Sequence, residues 1–421
     1  MTPLAVDECA LEAVTACLDA AADLAEARGG RRPLVELDPG HALAAVRSEA
    51  LLRDADGRGI GGFAPLSRLW RAADGWVRTH ANYPWHRQAL LATLGPEDGL
   101  ERAIAALPAL EVERRVYEAG GLAVAARTTD QWTFEPGPLI SIEPTGQGQP
   151  PAPLSPVPNA ARLSSRQPKS ALPASALPAS ALPASGLRVL DLTRVIAGPV
   201  GTRMLAALGA EVLRVDSPRR PELSLHAFDG VIGKASTLLD ADTPDGYAAL
   251  QRLAGQADVI VTGYRPGAMR RLGLDTDRFP DKVVATLSAW GTAGEWGDRR
   301  GFDSLVQVAT GIGWACGVDG ARPGALPYQL LDHATGYLLA AGVLTALARG
   351  GGAHVSVSLV RTARWLLDHP PGRPQGEPGD FRTDLGNGWS GITPPGRLDG
   401  VPLRWPRLPP AYGQAPPAFT A

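Results

Sequence analysis

Asp332 stands immediately ahead of a long apolar stretch that runs from His333 to about Ala348. A carboxylate there can act in two ways. It can cap the helix, since aspartate is a preferred N-cap residue, or it can be a nucleophile whose ionised form the helix's positive end favours. Position alone favours the cap. A second cluster, Arg214-Val215-Asp216-Ser217-Pro218-Arg219-Arg220, sets three guanidiniums around one loop. Such forks suit phosphate, although a solvated turn is the plainer reading. Asp216 closes an apolar strand, where a nicotinamide enzyme places an acid for ribose hydroxyls. The preceding loop, however, reads Thr193-Arg194-Val195-Ile196-Ala197-Gly198-Pro199-Val200-Gly201 instead of G-x-G-x-x-G, which weakens a dinucleotide reading. His41, His80, His226, His354 and His369 have no metal-ligand spacing. The three cysteines, Cys9, Cys17 and Cys316, are too few for a disulfide framework or a zinc site, so no metal and a reducing, cytoplasmic compartment are expected.

These residues must be positioned by a parallel sheet. Leu187 to Leu192 reads as a strand, Thr193 to Pro199 as a loop, Val200 to Leu208 as a helix stopped by Gly209, and Glu211 to Val215 as the next strand. DVIVTGY and VVATLSAW supply further strand cores, and the strand, loop, helix rhythm predicts a Rossmann-like doubly wound α/β sheet. Ahead of it, residues 8 to 28 predict a helix, Trp76 to Thr79 a short strand, and Trp85 onward another helix. This part has the mixed character of a smaller α+β lobe.

A chain of 421 residues exceeds the size of one typical core. Its 44% hydrophobic and 20% charged residues are ordinary globular composition. The formal charge of -2, with no block of five like charges, argues against a nucleic-acid stripe or a polybasic membrane anchor. The first ten residues lack a secretory pattern, and the apolar run Ala334 to Ala348 is short for a bilayer span and reads as a core helix. Between Gln147 and Ser185 proline, serine and alanine dominate, and SALPA recurs three times from Ser170, which predicts an extended linker. The expected division is a small lobe at 1–146, a linker at 147–185, the sheet domain at 186–369 and a proline- and glycine-rich tail at 370–421.

VLDLTRVIAGPVGTRMLAALGAEVLRVDSP, GKAS around Lys234, ADVIVTGYRPGAMRRLGL, LSAWGTAG, RRGFDSLVQVATG and LLDHATGYLLAAGVLTALARGGGAHVSVSL follow one another between Arg188 and Leu359. In order, spacing and identity they resemble the family III CoA-transferases, also called the CaiB/BaiF family. The resemblance implies transfer of coenzyme A from an acyl-CoA donor to a carboxylic acid, with CoA as substrate and no permanently bound cofactor. It implies an interlocked homodimer, and it makes Asp332, four residues before Gly336, the nucleophile that passes through an aspartyl-CoA thioester. Ala197, Gly198 and Pro199 match the loop that approaches the nucleotide, Lys234 the lysine of N-K-R/K-S, Arg271 the basic residue before Leu272-Gly273-Leu274, and Tyr264 an aromatic position suited to adenine. Arg214, Asp216 and Arg219 join them from the local cluster.

Departures from the pattern matter. Ile196 stands where members acting on small dicarboxylates often have glutamine, which points to an apolar acyl group. GKAS lacks its flanking asparagine, and Ser288 replaces a lysine found in some members. Racemases of the same fold carry G-H-D where this chain has Gly301-Phe302-Asp303, which ranks a two-base racemase second, with His333 a weak substitute for the missing base. A non-catalytic CoA-binding homologue is the third reading. Phe63 to Gly95 resembles the family's small domain, which normally follows the nucleotide domain, so the order looks permuted. Trp70, Trp76, Trp85 and His86 within it are expected to pack as aromatic core.

Overall fold

The computed structural model describes residues 4–133, 137–154, 182–373 and 375–420, so the repeated SALPA segment lies almost wholly outside the described residues. Helix α1 (Val6–Ala27) opens the chain and buries Cys9, Ala13, Leu18 and Leu24. A lobe follows, built from strands β1 (Leu69–Arg71), β2 (Trp76–Thr79) and β3 (Ala123–Ala125) with helices α2 (Pro84–Leu94) and α3 (Ala109–Glu118). Its own core gathers Leu66, Trp70, Val77, Leu90, Leu100, Ile104, Val112 and Val116.

The main sheet has seven strands: β4 (Ser141–Pro144), β5 (Arg188–Leu192), β6 (Glu211–Asp216), β7 (Ala235–Leu238), β8 (Val259–Thr262), β9 (Val283–Ser288) and β10 (Ala353–Ser358). Their order is β4-β10-β9-β8-β5-β6-β7. All neighbours are parallel except β4, which runs antiparallel to β10 with Val355 opposite Ile142. The strand order reverses between β5 and β8, and a doubly wound sheet opens its binding crevice at the carboxyl ends of such strands. Val189, Leu190, Val259, Ile260 and Val261 are buried because helices cover both faces, hence their nearly continuous apolar sequence.

Three further helices carry the site: α4 (Ala197–Ala207), α5 (Asp303–Ala309) and α6 (Leu330–Ala348). By length and composition α6 is apolar enough to cross a bilayer, but 94% of its most apolar window is buried inside the protein, as a core helix requires. It is sandwiched between α1 and α4 in the same hydrophobic cluster as β5, β8 and β9. Contact with α4 is backbone to backbone: a Cβ on Gly201 would lie 2.6 Å from the Gly336 carbonyl. A Cβ on Gly336 would overlap the Ala197 carbonyl and meet the Val200 Cβ at 2.9 Å. Gly336→Ala is therefore expected to cost about 1–3 kcal/mol by forcing the two helices apart, read as a lowered urea midpoint.

The expected division of the chain needs revision on two counts. Among the described residues, 1–146 do not form one lobe, because α1 and β4 complete the main core and sheet, while the part from about Leu66 to Ala125 has a core of its own. The tail is not merely draped outside. Leu398 pairs with Val35, Ala415 N donates to the Ser236 carbonyl beside edge strand β7, and Phe419 packs on the cluster beneath it.

Candidate functional site

A cleft of about 760 Å3 opens at the carboxyl ends of β5, β6, β8 and β9, walled by Leu192, Asp216, Tyr264 and Ser288 and by Tyr83, Trp85 and His86 from the lobe. Ala197, Arg219, Arg271 and Asp332 also line it, so Asp332 shares one space with much of the expected nucleotide side. Four expected residues do not face it.

Lys234 is 0% exposed: its ammonium pairs with Asp191 at 2.9 Å and donates to Thr202 Oγ1 and the Pro199 carbonyl. In this arrangement it braces the first turn of α4, with no surface left for a phosphate. Arg214 is likewise buried, held by Asp216 and Glu222 at 2.7 and 3.2 Å. Gly198 and Pro199 lie buried in α4, and a Cβ on Gly198 would strike the Thr193 side chain, so this glycine serves loop packing. Sequence could not separate these roles, since a lysine or arginine in a binding motif and one in a buried ion pair look alike. Arg219 and Arg271 are exposed at the rim, paired with Asp240 and Asp242.

Three other cations fit an anion better. Arg220, Arg265 and Arg300 line the cleft without a carboxylate partner among the described residues. Burial, and then the charges of Arg265 and Arg220, lower the Arg300 pKa, the mark of clustered guanidiniums lacking a counter-ion. The runs Arg219-Arg220 and Arg299-Arg300 were the available signal. Above them Arg220 lies over the Trp85 ring at 5.0 Å and Arg194 over Tyr83 at 5.1 Å, so Trp85 is a cleft wall and not the expected core residue.

The loop before α4 is strained. Val195, a β-branched residue, has φ 69°, held there by its N–H donating to Glu222 Oε2 at 3.1 Å. Glu222 also accepts from Tyr83 Oη and Arg194, tying the lobe to the loop.

Asp332 lies within the first turn of α6, two residues inside its start, and is 6% exposed. The capping role that position alone offered it belongs to Asp303 at the head of α5, whose Oδ2 accepts the Asp332 N–H at 3.0 Å. The positive end of α6 therefore faces Asp303. Burial pushes the Asp332 pKa well above the ordinary carboxylate range, and the neighbouring Asp303 and Glu49 charges add to it. Burial also raises Asp303, to about 6. Burial and the two neighbouring carboxylates thus work against the ionised form that the helix end was expected to favour.

His333 is buried and bonded to Glu49 at 2.6 Å, away from the cleft. Imidazoles do reach Phe302 from the lobe: His80 stacks on it at 3.8 Å, and His86 meets it edge-on at 6.0 Å. Both ring nitrogens of His86 are buried without partners among the described residues, and burial, then Arg300, Arg220 and Arg194, depress its pKa to about 3.

Residues 184–396, just over half of the chain, carry the sequence signature of CoA-transferase family III. The chain belongs to this family. It is 36% identical over 177 residues to a Mycobacterium tuberculosis protein named "Probable fatty acyl-CoA transferase Rv3272", covering 38% of this chain and 45% of that one. It is 28% identical over 200 residues to the succinate–glutarate CoA-transferase of Agrobacterium fabrum, covering 41% and 50%. A crystal structure of Rv3272 superposes with a TM-score of 0.41 at 35% identity, over 44% of this chain and 57% of that one. The chain spans about half the length of these relatives.

Proposed function

We propose that this family III member transfers coenzyme A between an acyl-CoA and a carboxylic acid, with Asp332 as the covalent nucleophile. The observation that carries the reading is the sharing of one cleft by Asp332 and the three carboxylate-free arginines at the crevice of the sheet. A nucleotide thioester needs both, anion pairing at one end and a nucleophile at the other. Ionised Asp332 attacks the donor thioester, giving a mixed anhydride and CoA thiolate. The thiolate returns to the aspartyl carbonyl, forms the aspartyl-CoA thioester and expels the donor acid. The acceptor carboxylate attacks that thioester, and the thiolate, freed again, opens the second anhydride at the acceptor carbonyl to give product and Asp332. Expulsion of the donor acid and capture of the acceptor leave the number of thioester bonds unchanged.

Intact mass spectrometry after incubation with a panel of acyl-CoAs tests this. A mass increase by CoA less one water on wild type but not on Asp332→Asn supports the reading, and its absence with every thioester sinks it. Arg265→Ala and Arg300→Ala are each expected to weaken CoA binding about 10- to 100-fold in calorimetry, the worth of a charge-assisted phosphate contact. A smaller loss with dephospho-CoA identifies the arginine that meets the 3'-phosphate. Two copies are expected to interlock as a homodimer, measured as mass in solution, and the buried thiols of Cys9 and Cys17 suit a reducing cytoplasm.

A racemase is the second reading, favoured by the imidazole of His86, which has no hydrogen-bond partner among the described residues and lies in the same cleft as Asp332. Deuterium incorporation from solvent at the acyl α-carbon, without CoA exchange, would move the assignment there.

A further inference from the structure

His86 lines the Asp332 cleft, yet CoA transfer as described above gives it no part. It stands in the first turn of α2, which Pro84 starts after Tyr83, and it is 3% exposed. The rings of Tyr83, Trp85, Phe302 and His80 meet its imidazole edge to face at 5.6, 5.8, 6.0 and 6.4 Å. These contacts hold the ring in place, but neither of its nitrogens has a hydrogen-bond partner among the described residues. A buried polar group in that state is costly, and a partner that arrives with the substrate removes the cost.

Phe302 sets His86 at the reacting end of the cleft. It too lines the cleft, and it directly precedes Asp303, whose Oδ2 accepts the Asp332 N–H at 3.0 Å. The imidazole from the lobe and the carboxylate from α6 thus both meet the two-residue segment 302–303. Burial, and then the charges of Arg300, Arg220 and Arg194, disfavour the imidazolium. A neutral imidazole carries one N–H donor and one acceptor nitrogen. Unlike a cation, it can stand near Asp332 without pairing with the carboxylate and quenching its attack.

We infer that His86 is a catalytic residue of the transfer reaction, its N–H donating to the carbonyl oxygen of the thioester that Asp332 attacks. The inference rests on the CoA-transfer reading. As an Asp332 oxygen bonds to the carbonyl carbon, the π pair moves onto the carbonyl oxygen, which gains negative charge and draws the His86 hydrogen bond tighter. The pair then returns, the C–S bond breaks, and the sulfur leaves as CoA thiolate. No proton changes owner in this step, so a neutral donor suffices.

Two readouts test this. The first needs binding alone: acetyl-CoA with 13C at its thioester carbonyl is bound to Asp332→Ala, which cannot attack and adds no donor, and the carbonyl stretch is read by isotope-edited infrared spectroscopy. It is expected below the frequency of free acetyl-CoA, and to return to that frequency when His86→Phe is added. The second readout is the rate at which the panel of acyl-CoAs charges Asp332 with CoA, followed by mass. His86→Phe should slow charging at saturation about 100- to 1000-fold, the worth of one oxyanion donor, with the half-saturating acyl-CoA concentration little changed. His86→Gln can donate but cannot take up an α-proton, so it should recover at least about tenfold of that loss, which it could not do for a base. Thermal melting identifies a folding failure, and His86→Leu then replaces the phenylalanine variant. An unshifted carbonyl in Asp332→Ala, a shift untouched by His86→Phe, or a glutamine variant as slow as the phenylalanine one overturns the inference. So does charging by His86→Phe slowed less than about tenfold, and with wild type charged normally that result leaves the transfer reading standing. If wild type is charged by no thioester, the transfer reading falls and this inference with it.

Discussion

Asp332→Asn is expected to lower CoA transfer by about 10^4-fold or more, the scale seen when a covalent nucleophile is removed, while making the folded protein more stable at pH 8. The two effects share one cause. Asp332 is buried beside Asp303 and near Glu49, so its carboxyl holds a proton more firmly folded than unfolded. The unfolded side chain titrates near pH 4. Above that pH the folded state binds more protons than the unfolded one, and stability falls as pH rises toward the folded pKa. Asparagine keeps the shape and removes that penalty. Denaturant titrations of both proteins should coincide below about pH 4 and separate above it, with the variant more stable. Wild-type transfer should rise with pH over the same range and beyond, as ionised Asp332 accumulates. Hydroxylamine should leave a hydroxamate on the wild-type peptide containing Asp332. Near-normal transfer by the variant, or a label elsewhere, would discard the nucleophile assignment.

Arg214→Met is expected to destabilise the protein by about 3–5 kcal/mol, because it strands Asp216 and Glu222 in the interior without their cation. The arginine Nε and one Nη hold Asp216 at 2.7 and 3.1 Å, and that Nη also reaches Glu222 at 3.2 Å. Burial pushes the Glu222 pKa up, yet Arg194 and Arg214 outweigh it and hold it near about 2. Glu222 in turn fixes Val195, Arg194 and Tyr83, so the cleft should loosen along with the fold. Urea denaturation gives the stability, and CoA calorimetry on the folded fraction gives the cleft. A variant of wild-type stability with a specific loss of CoA affinity would restore Arg214 to the phosphate side.

Much of this was legible because it is local. Strand β2 at Trp76–Thr79, strands β5, β6, β8 and β9, and helices α1 and α6 follow from periodicity, since the side chains that form each element are neighbours in the chain. The order of the motifs between Arg188 and Leu359 marked the family and singled out Asp332. What depends on distant segments was hidden. Edge strand β4 exists because β10 accepts it more than 200 residues later, and α1 is core because α6 covers it.

The site divides the same way. Sequence by itself determined which residue types are present and which helix and loops carry them: the aspartate ahead of an apolar helix, the arginine runs, the glycine that lets α4 approach α6. Tertiary structure alone decided their states. Lys234 became a buried brace, Arg214 a structural cation, Arg265 and Arg300 cleft-lining guanidiniums without a carboxylate partner among the described residues, and Asp303, rather than Asp332, the group that satisfies the start of α6. The physical reason is that solvation and charge pairing are set by whatever surrounds a side chain in space, and for these residues that surrounding is built from segments far apart in the chain.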